Sequence, residues 1–331
     1  MNILGIETSC DETAASVVRD GREILSDIIA SQADLHAKFG GVVPEIASRK
    51  HVELLNPVIQ EALDSAGTRL PDVEAVAVTN RPGLLGALLI GVSAAKSISA
   101  AFDLPLIGVH HLEGHIYANF LANPELRFPF VCLIVSGGHS DLVLVKGHGD
   151  YRMLGRTRDD AAGEAFDKSA RAVRLGYPGG PIIDRLASEG DPEAVRFPRA
   201  RLDGTLDFSF SGLKTAVVRF FREKGDQYRI EDIAASFQAA VVDMLVNTTM
   251  AAVEQTGIRS VALAGGVAAN SGLRRRMHEE AESRGLELSY PPPRLCTDNA
   301  AMIACAGYYH LQRGDVNALD LDTVANEPLV E

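Results

Sequence analysis

Apolar residues recur in short blocks along the chain, and their period changes from block to block. Residues 3–18, ILGIETSCDETAASVV, hold two apolar runs around a small polar turn, the pattern of a β-hairpin. Residues 131–145, VCLIVSGGHSDLVLV, repeat it, with Gly137 and Gly138 expected to supply a tight turn that most side chains would obstruct. Each hairpin is followed downstream by an apolar strand, a glycine-containing loop and a helix. The first such unit is AVAVTNRPGLLGALLIGVSAAKSISAA and the second SVALAGGVAANSGLRRRMHEEAE. The simplest organisation is a duplicated α/β fold of two similar lobes around a central cleft. Residues 1–120 would form the N-terminal lobe and 121–331 the C-terminal lobe, the latter carrying a helical insert at about 150–230. Small residues that expose backbone N–H groups at a helix start suit an anion, so the cleft is expected to hold a phosphate-bearing ligand. For any one loop alone, a plain strand-to-helix turn explains the glycines equally well.

Composition narrows the class. With 331 residues there is room for about two domains, and 46% hydrophobic with 23% charged residues reads as globular rather than disordered. No run approaches the ~20 apolar residues of a membrane span. The start, MNILGIETSCDET, has neither a basic n-region nor a cleavage pattern, so a cytoplasmic protein with no membrane partner is expected. Cys10, Cys132, Cys296 and Cys305 lie far apart with no CxxC pair, which argues for reduced thiols and against a disulfide framework or zinc ribbon. The net charge of −12 disfavours nonspecific binding to nucleic acid. Two local basic clusters, RFPRAR (196–201) and LRRRMHEE (273–280), suit either phosphate groups or a solvated face.

Familiar phosphate and nucleophile motifs fail on inspection. GALLIGVS (86–93) has the two-glycine spacing of a P-loop, but Val92 stands where the lysine belongs. IVSGGHS lacks a glycine two residues before Ser136, so it is no nucleophile elbow. Ser211 and Lys214 match S-x-x-K spacing without the accompanying S-D-N element.

The stretch HHLEGHIYANF holds three histidines and one acid within six positions. In a helix His111 and His115 are i and i+4, on one face, and two imidazoles so placed can share an ion. A zincin protease would place glutamate directly after the first histidine; here that residue is Leu112, and Glu113 points away. His110 and Glu113 are therefore not expected to be ligands. A third ligand must come from elsewhere, and Asp298 in CTDNAAMIACAGYY is the best distant candidate, although an acid before an apolar-periodic run is also a routine N-cap.

From about residue 2 to 312 the chain resembles the universal tRNA N6-adenosine threonylcarbamoyltransferase family, bacterial TsaD type, formerly described as an O-sialoglycoprotein endopeptidase. The resemblance is carried by GIETSCDET, FGGVVPEIASRKH, PGLLGALLIG, HHLEGH, VSGGHS, DDAAGEAFDKSARAVRLGYPGGP, FSFSGLKTA, GGVAANS and CTDNAAM. One departure is Arg81, where the family usually has glycine.

The resemblance implies a duplicated actin-like ATPase (ASKHA) fold. It also implies transfer of the threonylcarbamoyl group of L-threonylcarbamoyl-adenylate to N6 of adenosine 37 in tRNAs reading codons that begin with A, with AMP leaving. It implies one divalent metal ion per subunit, Fe2+ before Zn2+, on His111, His115 and Asp298. Substrate contacts carry over to Ile134, Val135, Ser136, Gly137, Gly138, Asp167, Gly180, Asp184 and Asn270. The implied partners are tRNA, an inactive paralogue (TsaB) and a small P-loop ATPase (TsaE). The apolar stripe of GGVVPEIASRKHVELLNPVIQEAL suits either such a paralogue or plain core packing. As mechanism, Lewis-acid stabilisation of the mixed anhydride is expected, with Asp11 orienting or deprotonating the adenine amine and Glu12 as second choice. The alternatives are a small-molecule kinase or ATPase of the same fold, and a metalloprotease.

Overall fold

Strand and helix periods alternate as the sequence predicts, and the computed structural model describes them over residues 1–330. Along the chain run β1 (Asn2–Glu7), β2 (Glu12–Arg19), β3 (Glu23–Ser31), α1 (Ala33–Ala37), α2 (Pro44–Ser65), β4 (Ala75–Arg81), α3 (Leu85–Phe102), β5 (Leu106–His110) and α4 (His111–Ala122). Next come β6 (Phe130–Val135), β7 (Ser140–Gly147), β8 (Asp150–Arg156), α5 (Ala162–Ala172), α6 (Gly179–Ala187), α7 (Ser211–Lys224), α8 (Ile230–Thr256), β9 (Ser260–Ala264), α9 (Ser271–Arg284) and β10 (Glu287–Ser289). Helices α10 (Pro293–Cys296) and α11 (Ala300–Arg313) end the series.

Two five-stranded sheets form, ordered β3-β2-β1-β4-β5 and β8-β7-β6-β9-β10. In each, the first three strands are an antiparallel meander, and the fourth and fifth add in parallel beside the first. Identical strand order and sense in both sheets is the duplication that the paired hairpins predicted. The chain divides into two units, Met1–Leu126 with the segment from Arg294 onward, and Arg127–Pro293.

That division corrects the expectation that 121–331 forms the second lobe in full. Helix α11 packs on β1, β2, β4 and β5 of the first sheet. The approach is so close that a Cβ on Gly5 would lie 2.2 Å from the Ala300 carbonyl oxygen, and one on Gly307 2.4 Å from Ala77 Cβ. Beyond α11 the tail binds the ends of β4 and β5. Asn317 N–H donates to Leu106 C=O (2.8 Å), Asn80 Nδ2 to Asp322 C=O (2.9 Å) and Gly83 N–H to Ala325 C=O (3.1 Å). Arg81, the departure from the family pattern, forms an ion pair with Glu327 at 3.0 Å and so ties down this tail. The helical insert also begins later than expected, because 150–156 is strand β8 of the second sheet.

Burial follows from both faces of the first sheet being covered, which makes its strands near-continuous apolar runs. Leu4 and Ile6 of β1 pack with Leu55, Ile59 and Val92 from α2 and α3. Gly5 meets α11 on the opposite side. The stripe of α2 thus belongs to the core, through His51, Leu55, Val58, Ile59 and Ala62. By length and composition alone, α3 and α8 are apolar enough to cross a bilayer, which corrects the expectation that no segment is. The most apolar stretch of α8 is 78% buried within the structure, that of α3 33%. No disulfide joins any of the four cysteines.

Candidate metal and substrate sites

In the first unit, β5 runs directly into α4, and its last residue caps the helix. His110 Nδ1 accepts from Leu112 N–H (3.2 Å) while Nε2 donates to Glu327 C=O (3.1 Å). Burial pushes its pKa down to about 4, so the ring stays neutral, as an accepting cap requires. Glu113 turns the other way, with Oε2 2.8 Å from His310 Nε2. Both residues are occupied elsewhere.

His111 and His115 stand one turn apart on α4, rings edge-to-face with centroids 4.7 Å apart. Asp298 Oδ1 lies 3.5 Å from His111 Nε2 and 3.3 Å from His115 Nε2. One ligand atom from each residue lies within 4.8 Å of the others. The N-cap of α11 is Asn299, whose side chain accepts from Met302 N–H at 2.9 Å, so Asp298 is released from capping.

Several groups prepare this cluster, and the sequence reading missed them. Glu7, fully buried at the end of β1, places Oε2 3.1 Å from His111 Nδ1 and accepts from Thr79 Oγ1 (2.6 Å) and Ser9 N–H (2.5 Å). Ser9 Oγ lies 3.1 Å from the same nitrogen. A carboxylate on Nδ1 selects the tautomer that presents Nε2 to Asp298, the arrangement common behind metal-bound histidines. The available signal was a lone acid ending an otherwise apolar strand, NILGIE.

The carboxylates draw positive charge into the cluster. Burial alone would lower His111, but Asp298 and Glu7 outweigh it and hold its pKa well above the ordinary value. Burial would raise Asp298, but His111 and His115 hold it well below. His115, whose largest influence is burial, is lowered, and neither of its buried ring nitrogens has a hydrogen-bond partner among the described residues. Orphaned buried nitrogens facing a carboxylate fit a metal ion, and two imidazoles with one carboxylate suit iron or zinc.

Beside this cluster the β1–β2 turn carries Asp11 and Glu12. It is pinned on three sides: His51 Nε2 contacts Cys10 C=O (3.0 Å), Leu84 N–H donates to Ser9 C=O (2.8 Å), and Thr8 Oγ1 donates to Ala87 C=O (2.9 Å). Burial, then the negative charges of Asp298 and Asp11, push Glu12 up to about 9. A cation held by Asp298 would relieve the second influence and leave the first. Asp11 is partly exposed.

In the second unit, the expected substrate residues gather where helix starts meet the β6–β7 turn. Ile134 and Val135 end β6, and Ser136 C=O accepts from Gly163 N–H (3.2 Å) in the first turn of α5. Asp167 Oδ1 accepts from Gly179 N–H (2.7 Å), holding the start of α6. Asp184 accepts from Ser271 N–H (3.0 Å) and Ser271 Oγ (2.8 Å) at the start of α9. Asn270 caps α9 through Leu273 N–H (2.8 Å) and donates to Gln238 (2.7 Å). These three polar residues build the loops, a role the sequence reading did not assign to them.

The glycines divide. Gly265, at φ +86°, would put a Cβ 2.4 Å from Val135 C=O, so it is required. Gly137, Gly138 and Gly180 face open space, and none has a positive φ. Backbone geometry at the β6–β7 turn therefore does not demand glycine, which corrects the expected reason for Gly137 and Gly138.

Comparison with known proteins identifies the family. The model of the family TsaD, tRNA N6-adenosine threonylcarbamoyltransferase, matches residues 23–305. A protein of that name from Symbiobacterium thermophilum is 61% identical over 97% of this chain and 95% of its own. One from Clostridium botulinum is 54% identical over 100% of this chain and 98% of its own. Among solved structures, component A of (R)-2-hydroxyglutaryl-CoA dehydratase from Acidaminococcus fermentans superposes with TM-score 0.59 at 16% identity, covering 94% of this chain and 99% of that one. HypF of T. kodakarensis gives 0.62 at 15% identity, over 94% of this chain and 48% of that one. Likeness at such low identity speaks to fold alone, and the fold is the duplicated actin-like ATPase fold. Matching its relatives over nearly their whole length, the chain belongs to the TsaD family of tRNA N6-adenosine threonylcarbamoyltransferases.

Proposed function

We propose that the protein transfers the threonylcarbamoyl group of L-threonylcarbamoyl-adenylate to N6 of adenosine 37 in tRNAs reading codons that begin with A, releasing AMP. Identity of 61% to a relative named for this transfer, over nearly the whole chain, carries the reading. His111, His115 and Asp298 hold one divalent ion, Fe2+ in first place and Zn2+ in second. When bound, such an ion supplies Lewis-acid stabilisation of charge on the mixed anhydride.

The chain's own residues do the rest. Glu7 orients the His111 ring. The β6–β7 turn from Ile134 to Gly138 and the start of α6 at Gly180 offer backbone to the adenylate, because no side chain screens those glycines. Asp167, Asp184 and Asn270 hold those loops and present their remaining polar atoms to ribose or threonine. The adenine amine is a poor nucleophile, so holding it against the acyl carbon supplies much of the acceleration. Asp11 accepts from that amine. Glu12, whose carboxyl burial holds above the usual carboxylate range, is better suited to donate to a substrate oxygen than to act as base.

An inactive paralogue (TsaB) and a P-loop ATPase (TsaE) are the proposed partners, and the cytoplasm the proposed location. Exposed Val52, Leu85 and Leu89 on the adjacent helices α2 and α3 support a protein partner there.

Incubation with threonylcarbamoyl-adenylate and unmodified tRNA tests the reading. The expected products are the modified nucleoside, detected by mass, and an equal amount of AMP that forms only when tRNA is present. No product from the adenylate, with ADP formed in a parallel incubation with ATP and a small-molecule acceptor, would assign the chain to a kinase of the same fold, and no product in either incubation would sink both.

A further inference from the structure

A tRNA substrate must approach a chain of net charge −12, and that charge is unevenly placed. Residues 127–293 carry 22 basic and 22 acidic side chains, whereas the other unit carries 10 and 22. Within the neutral unit, the RFPRAR cluster meets α7 along a groove of about 1150 Å³, lined by Arg196, Arg199, Arg219, Phe220, Lys224 and Asp243 among others. A second hollow of about 430 Å³, holding Lys168, Lys214, Arg219 and Arg222, shares Arg219 with it.

The arginines are not equivalent. Arg199 is committed to Asp243 at 2.7 Å, and each neutralises the other. Arg196, Arg219 and Arg222 are exposed and make no ion pair or hydrogen bond among the described residues, so their donors are free. Two acids, Glu193 and Glu223, also line the groove, so a polyanion there depends on the unpaired arginines outweighing them. An aromatic ridge borders it. Phe220 packs edge-on against Phe197 (5.6 Å) and Tyr228 (5.1 Å), and Tyr228 is 37% exposed. Unpaired guanidinium groups beside one exposed ring, Tyr228, suit RNA, whose phosphates take charge-assisted hydrogen bonds and whose unstacked bases take aromatic faces. The other basic cluster differs: Arg274 bonds Ala268 C=O and lies over Tyr290, and Arg276 pairs with Glu280.

We propose that the groove between residues 192–199 and α7, together with the adjoining hollow, binds the phosphate backbone of the tRNA substrate, through Arg196 and Arg219 in the groove and Arg222 in the hollow. This rests on the tRNA-modifying reading above. The groove docks the RNA and takes no part in the transfer chemistry.

The test uses the full chain, with any subunits that copurify, and compares wild type, the triple variant R196Q/R219Q/R222Q and the control R275Q, which removes an exposed arginine of the other cluster. KM for tRNA and the dependence of tRNA affinity on KCl are measured. The triple variant should raise KM for tRNA about tenfold or more and flatten the slope of log affinity against log salt by about 2, as losing two to three phosphate contacts requires. Its kcat at saturating tRNA and its metal content should stay at wild-type values, and R275Q should match wild type throughout. Unchanged KM and slope in the triple variant of an active enzyme would overturn the groove alone, as would an equal loss in R275Q. A fall in kcat without a rise in KM would overturn it too. Loss of a copurifying subunit with the salt slope intact would give the surface to a protein partner instead. A wild type that modifies no tRNA would remove the parent reading and this one together.

Discussion

Glu7 shows how one side chain can decide the chemistry of another. Its carboxylate holds His111 Nδ1 and is itself held by Thr79 and the Ser9 N–H. Glu7→Gln keeps the shape and removes the charge that fixes the tautomer. Metal affinity should fall about 10–100-fold, read by competition with a chelator, while the fold persists. Unchanged affinity would assign Glu7 to packing. Asp11→Ala should lower the transfer rate at saturating substrates by about 100-fold or more without loss of metal; a full rate would remove its role.

Asp141, 8% exposed on β7, makes a prediction in pH. Burial, offset only partly by Arg156, raises it to about 6. The folded state therefore binds a proton that the unfolded chain releases near pH 4, and stability falls as pH rises from about 4 to 6. Above that window the buried charge costs about 3 kcal/mol. Asp141→Asn should raise Tm by several degrees at pH 8, with the gain vanishing toward pH 4. A gain independent of pH would mean that charge is not the cause.

Among elements, α4 carries the two histidines and α11 sets where Asp298 stands. Small residues let α11 press into the first sheet, and it carries Asp298 just before its cap. Gly5→Ala would set a methyl against the Ala300 carbonyl. Moving the helix should cost about 1–3 kcal/mol and weaken metal binding together. A lower Tm with metal affinity intact would show that Asp298 is positioned by its loop alone. Element type and order were legible at β1, β4, β6 and β9, which read as near-continuous apolar runs, and not at β8, DYRMLGR, whose polar residues hide the strand. What could not be read was the partner of the last helix. An apolar stripe states that a face is buried, without naming what buries it. The β6–β7 glycines illustrate the same limit: a Gly-Gly pair announces a turn, but only the coordinates distinguish a strained φ from open space.

At the scale of the whole molecule, the segment from Arg294 onward returns to the first unit. Truncation after residue 293 should therefore do more than remove Asp298. It would expose the α11 face of the first sheet, and the product should aggregate and bind no metal, checked by size-exclusion chromatography and metal analysis. A soluble, metal-binding truncation would contradict the grouping. The charge division follows the same boundary, since the entire net charge of −12 lies in the unit that includes this segment.

Sequence alone determined what local chemistry and periodicity encode: the duplicated hairpin and strand-loop-helix units, the helical i,i+4 histidine pair, and the family through its long motifs. Tertiary structure decided what depends on residues far apart in the chain. Glu7 and His111 are separated by 104 positions, and nothing in either neighbourhood specifies that β1 ends against α4. Asp298 became available as a ligand because Asn299 took the cap. Arg196 and Arg219 came to line one groove because α7 packs beside a loop without regular structure of its own. Periodicity records whether a face is buried; long-range pairing is set by which faces fit together, and that is a property of the whole fold.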